Sequence, residues 1–256
     1  MSSSRRIQRI SQALHRRQLD LVLAFDRVHD PHNLAAVLRT ADATGIPRII
    51  WEPDNDNPEP PNPEVARGTE RWVELKRVSS LEQTLKEYKN QGFGIAATHL
   101  SARAVDFRSP DWTRPWVIVM GNEKSGCAEN ILALSDENVI LPMMGLVQSL
   151  NVSVATAVIL YEIQRQREAA GMYRRVLPLE TVEQYLELWH LREEGVTVAD
   201  LITPPPSDRP LDVCEHVDGR SRTPRWKKSS TSTSQSQENK VRRPDDKPYP
   251  PYPRNA

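Results

Sequence analysis

The sequence predicts an α/β fold, a parallel sheet with helices on both faces. Three observations carry that expectation. Short apolar runs, "LDLVLAF" (19–25), "RIIW" (48–51), "FGIAAT" (93–98), "WVIVMG" (116–121) and "NVILPM" (138–143), have the length and near-continuous hydrophobicity of buried strands. Stretches of helical periodicity alternate with them. Polar, glycine-containing clusters follow three of the strands, and the carboxyl edge is where an open parallel sheet binds ligands.

Taken in order, residues 5–18 read as a short basic helix, carrying Arg5, Arg6, Arg9, Arg16 and Arg17 with no acidic residue before Asp20. The strand at 19–25 leads into a helix from Asn33 to Thr44, which Gly45 and Pro47 stop. After the strand at 48–51, residues 53–63 hold five prolines and form a loop. "RWVELKRV" (71–78) alternates as a strand, and residues 80–91 are helical. A helix over 128–135 separates the strands at 116–121 and 138–143. One helix then runs from Asn151 to about Ala170, and another from Leu179 to Glu194. Beyond about Thr203 the chain holds ten of its 21 prolines and few aliphatic residues. Such a tail is expected to be disordered or loosely docked.

With 256 residues, 38% hydrophobic and 27% charged, the chain suits one sizeable domain. No apolar run approaches the ~20 residues of a membrane span, and "MSSSRRIQRI" precedes no apolar segment of a secretory signal. Cys127 and Cys214 form no ligand-spaced pair, so no metal site is expected and reduced thiols in a cytoplasmic setting are. The 34 basic and 34 acidic residues cancel but are segregated: a second cluster, Arg165, Arg167, Arg174 and Arg175, follows a long apolar helix. Each cluster is open to two readings, a solvated helix face or a nucleic-acid contact.

Three polar clusters sit at strand ends. In "VHDPHNLAAVLRTAD" (28–42), Asp30 or Asn33 can cap the helix and Pro31 suits its first turn. At ~100° per residue, His32, Ala35, Ala36, Arg39 and Ala43 share one face, while Leu34, Val37, Leu38 and Ala41 cover the core side. This arrangement presents Arg39 near a helix N-terminus, a natural anion site, although capping plus a surface arginine accounts for it equally. In "GNEKSG" (121–126) two glycines permit a tight turn around Glu123. In "QSLNVSVATA" (148–157), Ser149 or Asn151 caps the following helix, and Met143, Met144 and Leu146 shape an apolar pocket. Neither GxGxxG after the first strand nor GxxxxGK[ST] occurs. The residues alone reach an anion-tolerant α/β site, and no reaction.

Taken together and in order, "NLAAVLRTADATG" (33–45), "VIVMGNEKSG" (117–126) and "ILPMMGLVQSLNVSVATAVILYE" (140–162) resemble the three motifs of the SpoU branch of the SPOUT RNA methyltransferases. The basic opening, "HDPHN" and "QRQREAAGMY" are most similar to the subfamily that methylates the ribose of the D-loop guanosine at tRNA position 18. The resemblance covers about residues 5–195. It implies a C-terminal deep trefoil knot forming an S-adenosylmethionine pocket, an exception to the rule against knots, and a homodimer. It implies cofactor contacts at Thr98, Leu100, Gly121, Ile140, Leu141, Met143, Ser149 and Leu150. Asn33, Arg39, Glu123, Ser149 and Asn151 match the catalytic set, with no metal. Arg9, His32, Lys89, Arg165, Arg167 and Arg175 would hold tRNA phosphates. The expected layout is a basic, tRNA-contacting helix over 1–18, a knotted domain over 19–175, a C-terminal helix over 176–202 and the tail over 203–256. Another tRNA or ribosomal RNA ribose, or a non-catalytic RNA-binding protein of the same fold, are the competing readings.

Overall fold

The architecture follows from where the apolar residues fall. In the computed structural model, which describes residues 4–28, 30–53, 68–122 and 126–202, the strands are β1 (Leu21–Asp26), β2 (Arg48–Glu52), β3 (Glu74–Arg77), β4 (Gly94–Thr98), β5 (Val105–Asp106), β6 (Trp116–Met120) and β7 (Glu137–Ile140). Among the described residues they form one sheet of order β3-β2-β1-β6-β4-β7-β5, every pair parallel. Its helices are α1 (Ser4–His15), α2 (Pro31–Thr44), α3 (Leu81–Asn90), α4 (Glu129–Leu134), α5 (Val152–Ala169), α6 (Leu179–Leu188) and α7 (Val198–Leu201). Glu123, the proline-rich loop beyond Pro53 and the tail over 203–256 lie outside the described residues.

Successive residues of β1 serve opposite faces. Leu21, Leu23 and Phe25 pack with Leu34, Val37, Leu38 and Ala41 of α2 and with Ile159, Leu160 and Ile163 of α5. Val22 and Ala24 pack with Leu81 and Leu85 of α3 and Ile131 of α4. Both faces of a central strand are therefore buried, which explains its continuous hydrophobicity. Each fully buried Leu or Phe stabilises the fold by about 1.5–3 kcal/mol.

The two ends of the described chain share a third core. Ile10 and Leu14 of α1 pack with Val182 and Leu186 of α6, Trp189 and Leu201. His15 joins them: its Nδ1 accepts from Leu177 N at 3.1 Å, and its Nε2 meets Leu201 O at 3.0 Å. The basic character of this helix is partly structural. Arg6 pairs with Glu194, and buried Arg17 pairs with Asp42 at 2.5 Å while lying over the Trp189 ring.

Three elements differ from the sequence pattern. The helix expected to reach Glu194 ends at Leu188. His190 adopts φ 49°, and Arg71 donates through Nε and Nη2 to the Trp189 carbonyl at 2.9 and 2.7 Å, occupying an acceptor that a continuing helix needs. The same arginine shortens the strand expected over 71–78 to Glu74–Arg77. Thr69–Arg71 is a 3₁₀ turn, and Trp72 leaves the strand line to meet Trp189 edge-on at 5.1 Å. The edge strand β5 has only two residues, too short for a periodic signal.

Arg167, expected on the RNA-binding surface, is instead fully buried. Nε donates to Trp112 O at 2.8 Å, Nη1 to Gln18 Oε1 at 3.1 Å and to Asp20 Oδ1 at 2.6 Å, and Nη2 to Arg114 O at 2.6 Å. The planar fork of donors fits this set of acceptors. Arg167 therefore belongs to the core and has no free donor face for a phosphate. Arg167→Met removes the cation and strands Asp20 and two carbonyls, and should lower unfolding stability by about 3–5 kcal/mol. Urea unfolding of the variant beside the parent chain checks this, and a loss within ±0.5 kcal/mol, the range of a surface substitution, would contradict the assignment.

Candidate functional site

Because the strands are parallel, the ends of β4, β6 and β7 open on one edge of the sheet. Thr98, the last residue of β4, donates through Oγ1 to Val119 O at 3.2 Å and accepts from Gly121 N at 3.3 Å, fastening the two strand ends together. At Gly121 the chain passes so close to its own continuation that a Cβ would lie 2.4 Å from Cys127 N. Only glycine fits there. Asn122 and Gly126 then pair as the two ends of a hairpin, with reciprocal backbone bonds of 3.0 and 2.8 Å.

A buried carboxylate ties this hairpin to β1. Asp26 Oδ2 accepts from Ala128 N at 2.6 Å and Oδ1 from Arg27 Nε at 2.9 Å. The Asn122 side chain donates to Arg27 O, and Arg27 itself holds φ 53°. Behind the hairpin, burial pushes the Cys127 thiol up to about 12, so it stays protonated and unreactive.

The segment from Leu141 to Leu150 crosses the same edge without regular structure and delivers Asn151 as the N-cap of α5. Asn151 Oδ1 accepts from Ser153 N at 2.9 Å, while its Nδ2 donates to Asn33 Oδ1 at 3.0 Å. Asn33 is buried in the first turn of α2, whose own N-cap, Asp30, accepts from His32 N at 2.8 Å. Two helix N-termini are thus cross-linked by one amide–amide bond, and their partial positive charges favour an anionic or electron-rich ligand.

These segments enclose a cavity of about 350 Å³. Thr98, Leu100, Gly121, Ile140, Leu141, Met143, Ser149 and Leu150 all line it, so every position carried over as a cofactor contact meets at one place. Asn151 lines it as well, and Asn33 reaches it through Asn151. Arg39 lies one helix turn beyond Asn33–Ala36 on α2, exposed and without a side-chain partner among the described residues. Its face differs from the expectation in one respect: Ala35 is fully buried in the core, leaving His32, Ala36, Arg39 and Ala43 toward the outside.

The proposed phosphate ligands are scattered. His32 and Arg175 are exposed and Arg9 half-buried. Arg165 is exposed but paired with Glu162 at 2.7 Å. Lys89 belongs to α3, on the opposite face of the sheet from α5, and is held by Asp136 at 2.7 Å and Leu134 O at 2.8 Å. Sequence reasoning missed His99, Asn122 and Gln148 among the cavity residues. Position alone was the available signal for the first two, which sit at or just past the ends of β4 and β6. Among the described residues no group of three or more His, Cys, Asp or Glu side chains is arranged to hold a metal ion, and no helix is long and apolar enough to cross a membrane.

Residues 20–161, which contain the strands and every residue that lines the cavity, match the SpoU rRNA Methylase family. The chain is 48% identical over 172 residues to the tRNA (guanosine(18)-2'-O)-methyltransferase of Escherichia coli (strain K12), covering 66% of this chain and 74% of that protein. The crystal structure of the TrmH/SpoU tRNA modifying enzyme of A. aeolicus superposes with a TM-score of 0.69 at 40% identity, covering 75% of this chain and 98% of that one. A more distant likeness, 28% identical with a TM-score of 0.52 over 58% of this chain and 60% of the other, is to the SpoU methyltransferase AviRb of Streptomyces viridochromogenes in complex with AdoMet. The helix-flanked parallel sheet is accordingly that of the SPOUT fold, consistent with its trefoil-knotted active site. The chain belongs to the SpoU/TrmH family of SPOUT RNA 2′-O-methyltransferases and is an S-adenosylmethionine-dependent methyltransferase.

Proposed function

We propose that this enzyme methylates the ribose 2′-hydroxyl of guanosine 18 in the D-loop of tRNA. The observation that carries the reading is the convergence of the eight expected cofactor positions on one cavity. Beside them stand the Asn33–Asn151 bridge and Arg39, which has no side-chain partner among the described residues. Identity of 41–48% to proteins named for this activity supports the target. The cavity also suits the cofactor chemically. About 350 Å³ with Leu, Met and Ile walls takes a flat nucleoside and an aliphatic chain, while Ser149, Asn151 and backbone groups at the strand ends offer polar contacts.

S-adenosylmethionine, when bound, supplies an electrophilic methyl group on a sulfonium. The residues of this chain have to hold the ribose hydroxyl in line with it, so orientation is the main catalytic contribution. Asn151, fixed as a cap and by Asn33, positions that hydroxyl next to the cavity. Arg39 meets the ribose and its phosphate. A guanidinium gives up its proton only at a high cost, so phosphate binding and orientation contribute alongside any proton removal. Ser149 and Glu123 complete the catalytic set in this reading. Arg9, His32, Arg165 and Arg175 bind tRNA phosphates, Arg165 after exchanging Glu162 for phosphate. Lys89 joins them only after leaving Asp136. The terminal pieces 1–18 and 176–202 flank a catalytic unit over 19–175, and the enzyme works in the cytoplasm on tRNA.

The test is to incubate the purified chain with unmodified tRNA and S-adenosylmethionine and map methylation by nuclease digestion and mass spectrometry. A single 2′-O-methyl group on guanosine 18 is expected, and methylation confined to another nucleotide would overturn the target. In the same assay Arg39→Ala should lower turnover by about 10²–10⁴-fold. Calorimetric affinity for S-adenosylmethionine should change by no more than about twofold, because Arg39 lies outside the cavity lining.

The enzyme acts as a homodimer in this reading. Val154, Val158 and Tyr161 of α5 are 49%, 38% and 54% exposed and form one stripe, and Met144 and Leu146 on the preceding segment are almost entirely uncovered. An apolar surface next to the site is suited to a second copy of the chain. Sedimentation should give twice the chain mass at micromolar concentration, and Val158→Glu should give an inactive monomer. A parent chain that is monomeric and fully active would refute the dimer.

A further inference from the structure

The cavity holds one imidazole that no role yet accounts for. His99 follows the last residue of β4, its backbone N bonded to Val139 O at 3.4 Å, and its side chain lines the cavity. The ring lies next to Gly126, where an added Cβ would stand 3.2 Å from Nδ1. Among the described residues that line the cavity it is the only titratable side chain, and it has no side-chain partner. Three of the polar side chains that share the lining are engaged elsewhere: Thr98 with Val119 and Gly121, Asn122 with Arg27, Asn151 with Asn33 and Ser153. A neutral imidazole carries one N–H donor and one lone pair, and a ring held in place by a neighbouring backbone is pre-organised to use them.

We propose that His99 is a further cofactor-contacting residue, whose ring nitrogen exchanges a hydrogen bond with a polar group of bound S-adenosylmethionine while the ring stays beside Gly126. The proposal rests on the reading that the cofactor occupies this cavity. It gives a role to the one imidazole in a lining whose other polar side chains, among the described residues, are amides and hydroxyls. It also gives Gly126, held at φ 69°, a second reason to lack a side chain, since a Cβ would crowd the ring by a few tenths of an ångström.

Calorimetry on the full chain with S-adenosylmethionine and S-adenosylhomocysteine tests this, using His99→Ala, His99→Phe and His99→Gln, with thermal unfolding of each. His99→Phe decides, because it keeps a ring against Gly126 and removes the hydrogen bond. Kd for both ligands should rise about tenfold or more in the Ala and Phe variants, the cost of one lost hydrogen bond to a buried group. His99→Gln should recover part of the loss. A third ligand, 5′-methylthioadenosine, locates the contact: sensitivity to His99→Phe assigns it to the nucleoside, and insensitivity with loss for the other two assigns it to the amino-acid part. In the parent chain one histidine ring resonance should also shift on saturation with S-adenosylhomocysteine and be missing from His99→Phe. A folded His99→Phe variant that binds all three ligands like the parent overturns the proposal. A parent chain that binds none of them overturns the cavity reading itself.

Discussion

Arg167 is the constraint on which the position of the site depends. A guanidinium without exposed surface is tolerated only where every strong acceptor around it is fixed, and here the acceptors come from two stretches: Gln18 and Asp20 before β1, and the Trp112 and Arg114 carbonyls before β6. The start of both central strands and the last turns of α5 are thereby joined at one point. From there the 18 residues of α5 extend about 27 Å as a rigid rod. Its other end caps on Asn151 and meets Asn33. The arginine at the base of the sheet and the amide pair at its carboxyl edge are the two ends of one lever.

At the carboxyl edge the site is assembled mainly from backbone. Gly121 brings two chain segments within contact distance, Thr98 clips neighbouring strand ends, and Asp26 satisfies an amide of the hairpin base from inside the sheet. Such a framework needs few ionisable groups, in keeping with a reaction whose barrier is lowered by alignment. A reacting methyl group carried by a sulfonium requires a shaped, partly apolar chamber and an oriented acceptor. The cavity and the paired helix N-termini offer both.

Much of this was legible because the informative residues are contiguous. The strand cores are unbroken apolar runs, so local pattern was enough for them, and the proposed cofactor positions, which came from the resemblance, lie in short stretches at or just past the ends of β4, β6 and β7. Legibility failed where a role depends on distant partners. Arg165 and Arg167 look alike in sequence, yet two residues of helix rotation put one in solvent and the other in the core. The stop of α6 is imposed by Arg71, more than a hundred residues earlier. Ala35 belongs to the core rather than to the Arg39 face because α2 is buried over a wider arc than a single stripe. His99 carries no motif of its own, and its interest arises only from the cavity and from Gly126.

The central claim is that the cavity at the ends of β4, β6 and β7 is where the methyl donor binds. A crystal structure of the full chain with S-adenosylhomocysteine measures this most directly. The account predicts ligand density enclosed by Thr98–Leu100, Gly121, Ile140–Met143 and Ser149–Leu150, with its sulfur toward the Asn33–Asn151 bridge. Density at any other place, or an empty cavity in crystals grown at saturating ligand, would contradict it.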